Sequence, residues 1–208
     1  MTNRRFLNLL IVLALLGGMA RAGWVAAHPG LMRIDVDGYL DIGSHLAAGA
    51  GYSAGNPPYF TAFRPPLYPL LVAAALRLPG ELHALAALQV VMGLLTILVT
   101  GLLARRLGAS SISALAAGLV VAVDPVLIHV TATPMTETLC TLLVALWGYS
   151  IASSSPTISR ACFSGFLLGL LALCRPTFLP YTLLQLAALL LLMNRRNSSS
   201  SPENSAHS

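Results

Sequence analysis

Lysine is absent from this chain, and charge of either sign is scarce: 9% of its 208 residues are charged. A soluble globular protein carries roughly 25%. That deficit excludes a free cytosolic enzyme, a disordered chain and a coiled coil. Cysteine is also sparse, and Cys140, Cys162 and Cys174 all lie in apolar runs without ligand-type spacing. They read as small core hydrophobes. The sequence has no Walker-type phosphate loop, no C-x-x-C pair, no G-x-S-x-G elbow and no internal repeat.

What is there is apolar: 56% of the residues are hydrophobic, so most of the chain belongs in lipid. The net charge of +5 comes entirely from arginines, placed singly or in pairs between apolar runs. That placement suits membrane topology and gives no phosphate-tracking patch, so nucleic acid is not a partner.

A helix crossing a hydrocarbon core of about 30 Å needs ~20 residues. Phe6–Ala20 is a first span or a signal peptide ending at Ala20-Arg21-Ala22, and both readings export the segment after it. Leu82–Leu103, closed by Arg105-Arg106, is the clearest span. Ile112–Val130, which contains Asp124-Pro125, and Met135–Ile151 come next. Cys162–Met193 would reach about 48 Å as one straight helix. Arg175-Pro176 sits in its middle, so it reads as a helical hairpin turning near Arg175; one long kinked helix is the alternative. The expected fold is all-α: a polytopic transmembrane bundle of about six spans, with interfacial helices in a long outer loop, residues 28–81. Residues 1–193 form the membrane domain, and residues 194–208, including the Ser/Asn-rich run from Asn197, form a disordered polar tail.

With the N-terminus in the cytoplasm, Arg4, Arg5, Arg105, Arg106, Arg160, Arg195 and Arg196 fall inside, and Arg21, Arg33, Arg64, Arg77 and Arg175 outside. The same assignment gathers Asp35, Asp37, Asp41, Glu81, Asp124 and Glu137 on the outer face, leaving Glu203 inside. The loop opens with near-helical apolar spacing over 37–48, an amphipathic helix for the interface. A Gly/Pro-rich stretch comes after it, then Arg64-Pro65-Pro66 and an apolar helix to Leu78 that is too short to span.

Three runs in this loop, Asp35-Val36-Asp37-Gly38-Tyr39-Leu40, Gly49-Ala50-Gly51-Tyr52 and Phe63-Arg64-Pro65-Pro66-Leu67-Tyr68-Pro69-Leu70-Leu71, carry a resemblance. So do Asp124-Pro125, Thr136-Glu137-Thr138-Leu139 and Cys174-Arg175-Pro176. In order and spacing they resemble the N-terminal half of GT-C glycosyltransferases, the membrane enzymes that use lipid-phosphate sugars and include the protein mannosyltransferase and lipid A aminoarabinose transferase group. The resemblance covers about Phe6 to Met193.

It implies an inverting transferase of the bacterial inner membrane, moving sugar from a polyprenyl-phosphate donor to an extracytoplasmic acceptor. It also implies a truncated copy, because family members have more spans. The alternatives are a non-catalytic membrane protein, or one part of a split enzyme completed by a second chain. Such transfer needs a carboxylate to take the acceptor's proton and positive groups or a divalent metal ion to hold the departing phosphate.

By family position Asp35 is the base and Asp37 its understudy; the plainer role for either is a helix N-cap. Glu137 would bind acceptor or metal, or favour a helix N-terminus. Arg64, its backbone fixed by two prolines, and Arg175 suit phosphate, or lipid head groups. Tyr39, with Tyr52, Tyr59, Tyr68 and Trp24, fits a sugar-stacking surface or an aromatic belt. Asp41 reads as a solvated face residue, Asp124 as the cap of a kink at Pro125, and His45, His83 and His129 as core or interface residues.

Overall fold

The computed structural model describes residues 2–152, 157–187 and 191. The chain is mostly helical. Two helices of 25 residues, α1 (Asn3–Ala27) and α4 (Leu82–Arg106), are long and apolar enough to cross a membrane, and they contain the expected spans Phe6–Ala20 and Leu82–Leu103. Thr2 starts α1 by accepting a hydrogen bond from Arg5 N at 3.4 Å. α1 then runs unbroken through Ala20-Arg21-Ala22. It buries Leu10, Ala14 and Gly17 while exposing Leu9, Val12, Leu16 and Met19. A helix apolar on both its packed and its open side is suited to lipid.

The loop from residue 28 to residue 81 folds onto one end of these helices. It contains a 3-10 turn at Leu31–Arg33, α2 (Tyr39–Ala47), two short strands and α3 (Leu67–Leu76). The strands, β1 (Ser53–Ala54) and β2 (Tyr59–Phe60), pair antiparallel with Ser53 opposite Phe60. They amend the all-α expectation: Gly55 takes a positive φ of 81°, and the Gly/Pro-rich stretch turns tightly enough to pair its flanks. α2 lies directly on α3, where Gly43 lets its backbone approach Val72 and Pro69.

The expected single span Ile112–Val130 is instead two helices, α5 (Ser111–Val123) and α6 (Pro125–Val130). Pro125 cannot donate to a continuing helix. Asp124 leaves the helical conformation, and its Oδ1 accepts from Val126 N at 2.8 Å and Leu127 N at 3.0 Å. The break strands the last carbonyls of α5, and Arg21 of α1 takes them. Its Nη2 donates to Val121 O at 2.7 Å and its Nη1 to Ala122 O and Gly17 O, each at 3.1 Å. Arg21, expected on the outer face, is therefore 1% exposed inside the bundle.

A buried turn leads into α7 (Glu137–Ile151), and α8 (Ile158–Cys174) comes next. α5, α7 and α8 are apolar but shorter, at 13, 15 and 17 residues. α8 stops where Arg175 takes an extended backbone and Pro176–Phe178 forms a 3-10 turn. Residues 179–187 are helical again and return along α8. Gln185 donates to Ser164 Oγ at 2.9 Å and accepts from Trp147 Nε1 at 3.1 Å. This is the hairpin expected at Arg175. The rest of its far limb, from residue 188 towards Met193, and the tail 194–208 fall outside the described residues apart from Leu191.

The ends of the bundle differ chemically. At one, Arg105 lies 5.5 Å from the Phe6 ring and Arg106 4.4 Å from the Tyr149 ring. At the other stand the folded loop, the start of α7 and the end of α8.

Candidate functional site

Asp35 lies in the extended chain before α2, and Gly38 at the helix's N-cap position has no side chain to offer. Asp35 Oδ2 takes over, accepting from Asp41 N at 2.8 Å. Its Oδ1 is buried with no hydrogen-bond partner among the described residues. The capping role and an available carboxylate oxygen thus coexist in one side chain.

Asp37 and Arg64 are joined. Arg64 Nη2 donates to Asp37 Oδ1 at 2.8 Å and its Nε to Asp37 O at 2.7 Å. The guanidinium also lies 5.3 Å from the Tyr39 ring and 4.5 Å from the Phe63 ring. Tyr52, beyond the hairpin, donates its hydroxyl to Arg64 O at 2.8 Å, so the backbone before Pro65 is held by more than the two prolines. Asp41 is structural: its Oδ2 accepts from Gly55 N at 2.8 Å and ties the hairpin turn to α2. Its side chain is still 42% exposed, so it faces solvent while holding the hairpin.

Glu137 opens α7, where the helix dipole favours a negative charge. Its Oε1 pairs with Arg175 Nη2 at 3.0 Å, and its Oε2 is buried without a partner among the described residues. The two residues come from different helices, and the non-helical backbone at Arg175 aims its side chain at α7. The pair opens one wall of a cavity of about 590 Å³. That cavity runs along α7 from Glu137 to Gly148, about 16 Å, with α4, α5 and α6 opposite, and an apolar lining relieved by Thr96, Thr100 and Thr141.

Tyr39 and Tyr68 connect the two charged groups. Their rings meet edge to face with centroids 5.3 Å apart, and Thr136, next to Glu137, pulls the Tyr39 pKa down. Burial raises the Tyr39 pKa, against the lowering pull of Arg64. Tyr68 is fully buried; burial first, then Glu137, Cys174 and Asp35, hold its hydroxyl well above the usual range. Both acids therefore act on one phenol. Tyr39 and Tyr68 belong to the packed interior of the site, while Tyr59 is exposed and suits a belt. Trp24 stacks on His28 with centroids 3.8 Å apart.

Gln89 was not singled out by sequence reasoning. It is wholly buried in α4, accepts from Tyr68 OH at 3.3 Å, and donates to Thr133 O at 2.8 Å and Thr131 O at 3.3 Å. It fixes the turn that delivers Glu137. A glutamine mid-span is itself the signal, since an amide in lipid needs partners. Among the described residues no group of three or more His, Cys, Asp or Glu is placed to hold a metal.

The family model for dolichyl-phosphate-mannose-protein mannosyltransferase matches residues 63–205, well over half of the chain. The chain belongs to this family. It is accordingly a GT-C-type membrane glycosyltransferase, and family membership brings with it a lipid-linked sugar donor. The matched segment includes Arg64, Glu137 and Arg175 but starts after Asp35, Asp37 and Tyr39. No curated protein and no solved structure matches the chain.

Proposed function

We propose that this chain transfers a sugar from a polyprenyl-phosphate donor to an acceptor hydroxyl outside the cytoplasm, with Asp35 as general base. It lies in a bacterial inner membrane with its N-terminus in the cytoplasm and about six crossings. The shorter helices α5, α7 and α8 cross where the bundle and its broken segments share the depth of the bilayer. The observation that carries this reading is the pair of buried carboxylate oxygens, on Asp35 and Glu137, without partners among the described residues. A buried acceptor left unmade is costly, and an acceptor hydroxyl donating to Asp35 Oδ1 relieves that cost.

Asp35 takes the hydroxyl proton as the acceptor oxygen attacks the anomeric carbon. The bond from that carbon to the phosphate oxygen breaks, and the phosphate leaves with the electron pair, so the anomeric centre inverts. A phosphate anion leaves without a strong acid. Arg175, bound to Glu137 and 44% exposed in its side chain, is free to turn one face to that phosphate. The donor's isoprenoid chain lies in the apolar cavity below. Arg64, engaged by Asp37, orders the loop over the site, and that pairing supports Asp35 over Asp37 as the base. No specific observation favours a non-catalytic scaffold or a subunit completed by a second chain.

The test is sugar transfer in membranes containing the native chain or Asp35→Asn, with a polyprenyl-phosphate sugar as donor. Loss of general-base catalysis lowers the rate about 10²–10⁴-fold. Equal rates remove Asp35 from the reaction.

A further inference from the structure

Cys140 and Cys174 are 34 positions apart in the chain, yet their sulfurs are 3.1 Å apart, with Cys140 donating to Cys174. Both are free and buried, whereas Cys162 is exposed on α8. One sulfur comes from the second turn of α7 and the other from the last residue of α8. Each sits beside a member of the ion pair: Cys140 is one turn beyond Glu137, and Cys174 adjoins Arg175. The separation is roughly 1 Å more than a disulfide bond.

Access is unequal. Cys140 lines the 590 Å³ cavity together with Glu137 and Arg175, so a small solute in that cavity meets Cys140 first. Cys174 lies behind it at 0% exposure. Packing alone asks only for small apolar groups at these positions and sets no distance between the two sulfurs. Their registration across two helices, with one partner open to a cavity, points elsewhere.

We propose that Cys140 and Cys174 are a modification site that closes to an intramolecular disulfide by exchange with a small disulfide oxidant. Cys140 loses its proton and its sulfur attacks one sulfur of the oxidant. The oxidant's S–S bond breaks, one thiolate leaves and is protonated, and a mixed disulfide remains on Cys140. The Cys174 sulfur, losing its proton, then attacks Cys140 Sγ and expels the second thiolate. Two protein thiols and one oxidant disulfide become one protein disulfide and two small thiols. The protein is oxidised by two electrons and the oxidant reduced by two. The new bond ties α7 to α8 directly beneath Glu137 and Arg175, making the spacing of that ion pair covalent in origin.

The experiment uses the full chain in detergent with the exposed Cys162→Ser, so that two thiols remain. After oxidised glutathione, acid quenching and denaturation, maleimide–polyethylene glycol labelling is expected to fall from two groups per chain to none. Reductant restores both, and mass spectrometry finds one cross-linked peptide pair within a monomer. With Cys174→Ser added, the oxidant is retained as a glutathione adduct on Cys140. Persistence of two labelled thiols, a glutathione on each cysteine when both are present, or a covalent dimer as the product overturns the proposal. None of these readouts depends on sugar transfer.

Discussion

Asp35 divides its carboxylate, with Oδ2 closing the first turn of α2 and Oδ1 left without a partner among the described residues. Asn and Ala at this position therefore separate the two tasks. Asp35→Asn keeps an oxygen for Asp41 N and loses the base, whereas Asp35→Ala also loses the cap and costs about 1 kcal/mol more in stability. Paired transfer rates and thermal unfolding of solubilised protein check this. The two loop tyrosines give a pH signature. Burial raises both Tyr39 and Tyr52, with Tyr39 adding to the effect at Tyr52. A phenol whose folded pKa exceeds its unfolded value of about 10 contributes fully below that value. Its contribution is lost as pH rises through the folded pKa, because the unfolded chain ionises first. Unfolding temperature should hold steady to about pH 9 and fall above pH 10, and Tyr52→Phe should flatten part of that fall. The same change removes the bond to Arg64 O and costs about 1 kcal/mol at neutral pH. Asp35, Glu137, Arg64 and Arg175 were visible in the sequence because a charge in an apolar chain stands out. The added role of Asp41 was not legible for a complementary reason: its partner is a backbone N–H fourteen residues away, which carries no sequence signature.

At the scale of elements, hydropathy located the two long helices α1 and α4 but did not show which apolar segments would break. Asp124-Pro125 was visible as a kink, and a full break needed something to satisfy the carbonyls it exposed. That role belongs to Arg21, about a hundred positions away in the chain, whose charge looked like a topology marker. Arg21→Met should strand Val121 O and Ala122 O inside the bundle. The expected loss is about 3 kcal/mol, read as a lower unfolding temperature in detergent, with Arg21→Lys intermediate because a single ammonium nitrogen replaces the two guanidinium nitrogens that reach the three carbonyls. Close approach also has sequence roots only in hindsight. A Cβ on Gly93 would stand 2.7 Å from Arg21 Cδ, so a small residue on α4 makes the room that Arg21 occupies. The cavity along α7 belongs to this scale too, since four helices contribute to it. Val144 lines it and is 38% exposed, so Val144→Trp should narrow the cavity without filling a packed core. Transfer from a long-chain polyprenyl donor should drop, while transfer from a short-chain analogue changes little. Equal losses with both donors would detach the cavity from lipid binding.

For the whole molecule, the two ends of the bundle differ in charge, and the orientation we propose for the site rests on that difference. Arg105 and Arg106, stacked on Phe6 and Tyr149, mark one end, and Asp35, Asp37 and Glu137 mark the other. Arginines at cytoplasmic helix ends set orientation, whereas those in long loops count for less. Arg21, removed from the outer tally by burial, and Arg64 and Arg175, held in ion pairs, leave Arg33 and Arg77 as the outer arginines without a carboxylate partner among the described residues. The orientation we propose follows the bias of the arginine pairs at one end. Cysteine labelling in intact cells measures it. In a Cys162→Ser background, Glu81→Cys, at an exposed position before α4, should react with a membrane-impermeant maleimide added outside. Leu107→Cys, 69% exposed just after α4, should react only once the membrane is opened. Because the two positions flank one 25-residue helix, labelling both from outside would show that α4 does not cross. The reverse pattern would turn the carboxylates towards the cytoplasm, where an extracytoplasmic acceptor has no access to Asp35.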